Sequence, residues 1–447
     1  MKISVIGAGY VGLTTGTALA EIGHNVAFFD VSSQKVSVLK KGKSPILEPY
    51  LERLIKKNLK KGKIFFSDEF KKVFDFAQVI FVCVDTPPLK NGEADLSQLK
   101  DVFNNISKYL KSYKAVILKS TVPPKTSDYF DDYLKKKIKG KIKFDIVSNP
   151  EFLVEGRALE SFLHPDRIVV GAESQKAKKI MQKVYQPIIE RSFYCPVHKQ
   201  YHKAENKMPF LATDRVSAEI IKYASNSFLA LKISFINAIA DIAEIFGGNI
   251  DDISLGIGLD KRIGKAFLGA GIGYGGSCLP KDTAAFIKKA LEKGYDFKLL
   301  KEVKKINQQR TLVALKKIEK LLGSLKGREI ALWGLAFKEG TDDIRFSPAV
   351  SLAKLLLKKG AKIKAYDVKA IKNAQKVVKG INYFDSLYKP LKNTSLLAVC
   401  NKEEEFKKAN WRKVKKLLKK PIVFDCRNFL DKERLKKLGF KYEAFGR

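Results

Sequence analysis

The chain has 447 residues, 45% hydrophobic and 11% aromatic, which suits roughly three domains of about 150 residues and excludes a disordered chain. Its 85 Lys and Arg against 47 Asp and Glu leave a net charge of +38; such an excess points to an anionic partner, whether nucleic acid, acidic membrane or phosphorylated ligand. Five cysteines without a CxxC pair argue against a disulfide scaffold or zinc ribbon, and neither a cleavable leader nor an apolar stretch of ~18 residues is visible, so a cytoplasmic protein with no membrane partner is expected.

Residues 2–6 (KISVI) read as a short buried strand. A glycine turn follows, then the helical pattern VGLTTGTALAEIG, then a second strand, VAFFD, ending at Asp30. Apolar runs of strand length recur at 79–84, 115–120, 144–149 and 167–172, with Lys-rich helical segments between several of them. That alternation implies a parallel sheet covered on both faces. Residues 213–246 keep helical spacing with no Gly or Pro, with Thr213 or Asp214 as N-cap and Gly247-Gly248 as the stop. A helix of that length suits a domain-spanning or interface element. A second α/β pattern starts at 328–337 and continues through 363–368, 396–401 and 421–428. The fold class is therefore α/β, with two Rossmann-like domains joined by a long central helix and a helical middle domain. The expected divisions are 1–208, 209–322 and 323–447. Lysine clusters such as 135–143 read as solvated helix faces and loops.

Gly7, Gly9 and Gly12 form G-x-G-x-x-G between a strand and a helix. The turn, with Ala8, Tyr10 and Val11, would let the backbone approach a pyrophosphate at the helix N-terminus. Asp30 ends the next strand 18 residues after Gly12, where a carboxylate can bind ribose hydroxyls and disfavour a 2′-phosphate. NAD is the expected cofactor; Lys35 narrows the preference over NADP because a nearby cation could accept a phosphate. Val84 to Pro88, including Thr86 and Pro87, and Ser120 to Val122 follow strands and can line a nicotinamide crevice.

The stretch 269–283 (GAGIGYGGSCLPKDT) carries the chemistry. Cys278 follows a glycine loop and precedes a helix, where amides and the helix dipole favour a thiolate. Lys281 and Asp282 lie three and four residues on, sharing its helical face. Lys222 and Asn226 sit one turn apart on the long helix, a cation and an amide suited to an oxyanion. Glu151 and Glu155, in NPEFLVEG, could split acid–base and binding roles. Each set has an ordinary alternative, an inert buried thiol or solvated surface pairs.

Together GAGYVGL, STVPP (120–124), NPEFLVEG with HPDRIVVG, AEIIKYASNSFLALKISFIN, GYGGSCLPKD and GLAFKEGTDDIR resemble the nucleotide-sugar 6-dehydrogenase (UDP-glucose/GDP-mannose dehydrogenase) family, in its UDP-glucose branch. The resemblance runs from residue 3 to residue 428. It implies four-electron oxidation of the sugar C6 alcohol of UDP-glucose to a carboxylate, through a thiohemiacetal and a thioester on Cys278. Two NAD are reduced per sugar. It further implies that Lys222 and Asn226 steady the oxyanion, Asp282 positions water, Glu151 serves thioester hydrolysis and Thr121 assists near the nicotinamide. Glu155, Lys281 and Arg345 match cofactor contacts. Glu151, Phe152, Leu153, Glu155, Lys222, Asn226, Tyr274, Gly275, Phe337, Lys338 and Arg427 match substrate contacts. Arg262 matches an arginine that reaches the neighbouring subunit's sugar site, so a homodimer or higher homo-oligomer is implied, with the substrate cleft between the α/β domains. GDP-mannose or a UDP-amino sugar is the rival substrate. A nucleic-acid-binding protein on a dinucleotide fold is the remote alternative, and no specific nucleic acid is expected.

Three departures stand out. Ala238 replaces a usual Glu after KISFIN, Asp85 stands where Gly or Asn is usual, and Lys35 replaces a more familiar Arg. Residues 190–208 look longer than the family needs. They hold Cys195, His198 and His202 as C-x2-H-x3-H, with Glu205 nearby. The types suit zinc, but the spacing matches no standard four-ligand finger. The segment is read as a solvated loop and no metal is assigned.

Overall fold

The computed structural model describes residues 1–89, 91–140, 142–202 and 207–447. It divides into two compact units, Met1–Ser225 and Asn226–Arg447, the chain passing from one to the other within the helix Arg215–Phe246.

The first unit is built on strands β1 (Lys2–Ile6), β2 (Asn25–Phe29), β3 (Ile64–Ser67), β4 (Val79–Val82), β5 (Lys114–Leu118), β6 (Phe144–Ser148) and β7 (Ile168–Ala172). A two-stranded hairpin follows, β8 (Tyr194–Cys195) with β9 (Gln200–Tyr201), and then β10 (Phe210–Thr213). The main sheet has the order β10-β7-β6-β5-β4-β1-β2-β3. Every residue of β4 and β5 is buried, as expected for strands covered on both faces. Core clusters occupy both sides, one around Leu13, Phe28 and Val170, the other around Phe74, Phe103 and Phe130.

Strands β1 to β6 are parallel, as the alternation predicts, but β7 runs antiparallel to β6 and β10 pairs parallel with β7. A wholly parallel sheet is therefore not what forms. The connection from β6 to β7 contains only the helix Ala158–Leu163, six residues long. That connection, residues 149–167, is long enough to allow either direction, so the reversal is a tertiary outcome and not a limit of chain length.

The second unit holds β11 (Glu329–Trp333), β12 (Lys362–Tyr366), β13 (Ile381–Tyr383), β14 (Leu396–Val399), β15 (Ile422–Asp425) and β16 (Lys441–Glu443), all parallel in the order β13-β12-β11-β14-β15-β16. Both sheets reverse their winding beside the first strand, between β1 and β4 and between β11 and β14. Such a switch point leaves a crevice at the carboxyl ends of the strands. The short strands β3, β13 and β16 went unread in the sequence because their alternation is brief.

The helix Arg215–Phe246 runs 32 residues, about 48 Å. Asp214 is its N-cap, Oδ1 accepting from the Ser217 amide at 2.8 Å, and Gly247 with φ +74° ends it. The helices Ile250–Leu259, Cys278–Glu292 and Lys298–Leu322 follow in the second unit.

Candidate active site and its relatives

In the first unit the chain leaves β1 and turns at Gly7, φ +97°. A Cβ there would lie 2.7 Å from the Cys83 carbonyl oxygen, and one at Gly12 would lie 1.8 Å from the Gly7 oxygen. Turn, helix and neighbouring strand therefore approach too closely for side chains. Gly9 differs, since a Cβ there would meet nothing within 4 Å. It caps the helix Tyr10–Glu21, whose first turn carries no acidic residue. Bare amides and a positive dipole end fit the diphosphate of NAD.

The buried Asp30 carboxylate accepts from the Ala8 amide at 3.0 Å and the Ser32 amide at 3.1 Å, and pairs with Lys35 at 2.7 Å. It thus ties the end of β2 to the glycine turn while Lys35 offsets its charge. The loops after β4 and β5 are joined by Thr86 Oγ1 donating to Thr121 O at 2.8 Å and Ser120 Oγ donating to Val84 O at 2.7 Å. Thr86, Pro87 and Thr121 therefore share the sheet's carboxyl edge with the glycine turn. Tyr10 donates to Glu48 and accepts from the Gly156 amide at 2.9 Å. Burial first, and then Glu48, push the Tyr10 hydroxyl far above its ordinary pKa. Glu48 also accepts from the Gly156 and Ala158 amides at 2.9 and 2.7 Å, holding the loop that contains Glu155.

Glu151 follows β6 and lies 3.0 Å from Lys222, both side chains almost fully buried. Burial alone would raise the Glu151 carboxyl; Lys222, the Leu153 amide and Lys119 outweigh it and hold the pKa below the usual value. Two cations lie near the Phe152 ring, Arg167 at 4.0 Å and Lys222 at 5.2 Å from its centroid. Behind it Lys119 reaches Asn149 Oδ1 at 3.2 Å and Tyr185 OH at 3.3 Å, and burial lowers its pKa to about 8. Phe152, Leu153, Lys119 and Arg167 line one pocket.

In the second unit Cys278 is exposed at the first position of its helix, with Ser277 Oγ 3.7 Å from the sulfur. One turn on, Lys281 pairs with the buried Asp282 at 2.7 Å. Asp282 Oδ2 accepts from Asn226 Nδ2 at 2.6 Å, a contact between residues 56 apart. The preceding glycine loop is clamped on all sides. Asn237 accepts from the Gly271 amide at 2.8 Å, and Asn307 accepts from the Tyr274 amide at 2.9 Å and donates to its carbonyl at 3.0 Å. Arg427 donates to the carbonyls of Gly273 (2.6 Å), Cys400 (2.9 Å) and Phe337 (3.0 Å). A Cβ on Gly275 would fall 2.4 Å from the Phe346 carbonyl oxygen.

Phe337 is drawn to this loop through Arg427, with Lys338 5.7 Å above its ring. Arg345 pairs with Asp343 at 2.6 Å, and its carbonyl accepts from the Gly276 amide at 2.9 Å. Arg262 stands apart from this group. Its side chain is 89% exposed and pairs with Asp260 at 2.6 Å.

Models of the UDP-glucose/GDP-mannose dehydrogenase family match three consecutive blocks, its NAD binding domain over residues 1–189, its central domain over 216–309 and its UDP binding domain over 331–432. The chain belongs to this family. It is 42% identical over 449 residues to a UDP-glucose 6-dehydrogenase of Rickettsia felis, covering 100% of this chain and 96% of that one. A solved UDP-glucose dehydrogenase from the hyperthermophilic archaeon Pyrobaculum islandicum matches with a TM-score of 0.89 at 33% identity, covering 99% of this chain and 96% of the other. A UDP-D-ManNAc dehydrogenase from Pyrococcus horikoshii matches with a TM-score of 0.86 at 27% identity, covering 100% and 99%. The chain is thus an NAD-dependent dehydrogenase on an α/β fold. Among the described residues no helix is long and apolar enough to cross a membrane.

Sequence reasoning missed two buried residues of this cluster, Glu48 and Lys119. Glu48 stands between Pro45 and Pro49 in a run with no helical reading, an acid in a turn with backbone amides to satisfy. Lys119 ends an otherwise apolar run, and a cation at a buried strand end signals a partner nearby.

Proposed function

We propose that this chain oxidises UDP-glucose at C6 to UDP-glucuronate. The observation that carries the reading is the Asn226–Asp282 contact, which joins the long helix to the helix that Cys278 begins. Identity of 42% to a UDP-glucose 6-dehydrogenase, against 27% to a UDP-D-ManNAc dehydrogenase, favours glucose over an amino sugar.

The C6 alcohol is first oxidised to the aldehyde, losing a hydride and a proton; the Cys278 sulfur then adds to it, forming the C–S bond of a thiohemiacetal, whose oxidation gives a thioester. Water then breaks the C–S bond, freeing the carboxylate and regenerating the thiolate. The 7–12 turn with Asp30, Thr86, Pro87 and Thr121 would hold NAD, which would supply the hydride acceptor for both oxidations. Lys222 and the second N–H of the Asn226 amide steady the oxygen as it gains charge. Glu151, kept charged by Lys222, takes the proton that water must lose, and Asp282 orients that water. Phe152, Leu153, Tyr274, Gly275, Phe337 and Lys338 hold the nucleotide sugar; Arg427 shapes the loop that does so. Holding the aldehyde as a covalent adduct keeps it from solution.

The reading includes a homodimer. Phe228, Phe235 and Ile242 are each about half exposed and lie seven residues apart, one apolar stripe along the long helix. It also includes a cytoplasmic setting, which suits five cysteines that are all free.

The test is NADH absorbance with limiting UDP-glucose, run beside GDP-mannose and UDP-N-acetylglucosamine. Two NADH per UDP-glucose, lost in Cys278→Ala with nucleotide-sugar binding retained, is the expected result. Turnover of another sugar alone would overturn the substrate; turnover in the variant would overturn the covalent route.

A further inference from the structure

The two-stranded hairpin β8–β9 carries Cys195 and His198 and is followed by His202. Their ring nitrogens and sulfur converge with that of a fourth residue the sequence spacing gave no reason to join to them, His164, at the C-terminal end of the helix Ala158–Leu163. One ligand atom from each of the four lies within 4.8 Å of the others. His164 Nε2 is 3.1 Å from the Cys195 sulfur, and His198 Nδ1 is 2.9 Å from His202 Nε2. Around a tetrahedral zinc with bonds of about 2.0–2.3 Å, ligand atoms stand about 3.3–3.8 Å apart. The four atoms therefore need only small shifts to reach that spacing. Glu205 lies outside the described residues.

We propose that His164, Cys195, His198 and His202 form a structural zinc site. Three features beyond proximity belong to a metal centre. Cys195 is fully buried, and its sulfur accepts from the His198 backbone amide at 3.3 Å, the kind of contact that supports a thiolate. His198 turns its other nitrogen, Nε2, to Glu160 Oε1 at 3.3 Å, the carboxylate–histidine relay that orients a metal-bound imidazole. The three imidazoles crowd together with centroids 4.4–4.9 Å apart, and a shared cation is what holds rings and sulfur pointing inward. One thiolate with three imidazoles is a closed N/S set that suits zinc and leaves no position for catalysis. Binding replaces the thiol proton, which is released to solvent.

The site would staple the hairpin to the segment His164–Arg167. Arg167 lies over Phe152, so the staple steadies the shelf on which the candidate substrate loop rests.

The experiment is metal analysis of untagged, full-length protein after zinc loading and desalting. About one zinc per chain is expected in the native protein, and loss of it in Cys195→Ser/His198→Ala, with NAD binding confirming that the variant folds. Cobalt substituted for zinc should give tetrahedral visible bands and a thiolate charge-transfer band that Cys195→Ser removes. Glu160→Gln, which spares every ligand, should weaken zinc affinity 10–100-fold. Chelation should speed proteolysis within 190–202. Native protein without stoichiometric zinc, or a double variant that keeps it, overturns the proposal.

Discussion

Lys222 and Glu151 face each other at 3.0 Å with both side chains nearly sealed from water, so each is the other's counter-charge. Removing Lys222 takes the nearest counter-charge from Glu151, which keeps the Leu153 amide and Lys119, at a cost of up to about 3–5 kcal/mol. Lys222→Met should therefore destabilise the protein and, under the oxyanion role proposed for it, lower kcat about 10²–10³-fold. The double variant Glu151→Gln/Lys222→Met should recover most of the stability and none of the activity. Urea midpoints beside kcat separate the two roles, and a double variant as unstable as the single one would show that the charges are not coupled. Phe152 lies near Lys222 and also near Arg167.

Among the elements, the helix Thr126–Ile138 starts after Lys125 at φ +71° without a side-chain cap of its own. The cap comes from the long helix, where Glu219 accepts from the Lys125 amide (2.7 Å), the Ser127 amide (2.8 Å) and the Ser127 hydroxyl (2.6 Å). Burial nevertheless dominates and raises the Glu219 carboxyl to about 7. A folded pKa above the unfolded value means that the folded state binds more protons between about 4.5 and 7. The stability Glu219 contributes is therefore full below about 4.5 and is lost as pH rises through 7. The effect is at most about 3 kcal/mol at 1.36 kcal/mol per unit. Glu219→Gln should remove this dependence, so that native and variant midpoints, compared at pH 5 and 7.5, differ in slope. Parallel profiles would rule out a protonated Glu219.

At the scale of the whole molecule, the stripe of Phe228, Phe235 and Ile242 is more apolar surface on one helix than a solvated face carries without a partner. Phe228→Asp/Phe235→Asp should convert a dimer into a monomer in sedimentation at micromolar concentration, with NAD binding intact. A native protein that sediments as a monomer removes the dimer from the functional reading. The charge of +38 coexists with two anionic ligands and is carried largely by lysines.

What the sequence by itself determined is local in origin. The glycine turn before the helix Tyr10–Glu21 follows from sterics within a few residues, as does the placing of Cys278 at a helix start. The 32-residue helix and the buried runs of β4 and β5 follow from side-chain periodicity. A resemblance carried by long motifs added the roles. Tertiary structure alone decided the rest. It set β7 antiparallel to β6. It gave Asp30 to the Ala8 amide and Lys35, brought Asn226 to Asp282 across 56 residues, set Glu48 under the 156–158 loop, and brought His164 to Cys195, His198 and His202. Those outcomes depend on which distant charges and polar groups burial forces into one another's reach, and no spacing along the chain encodes that choice.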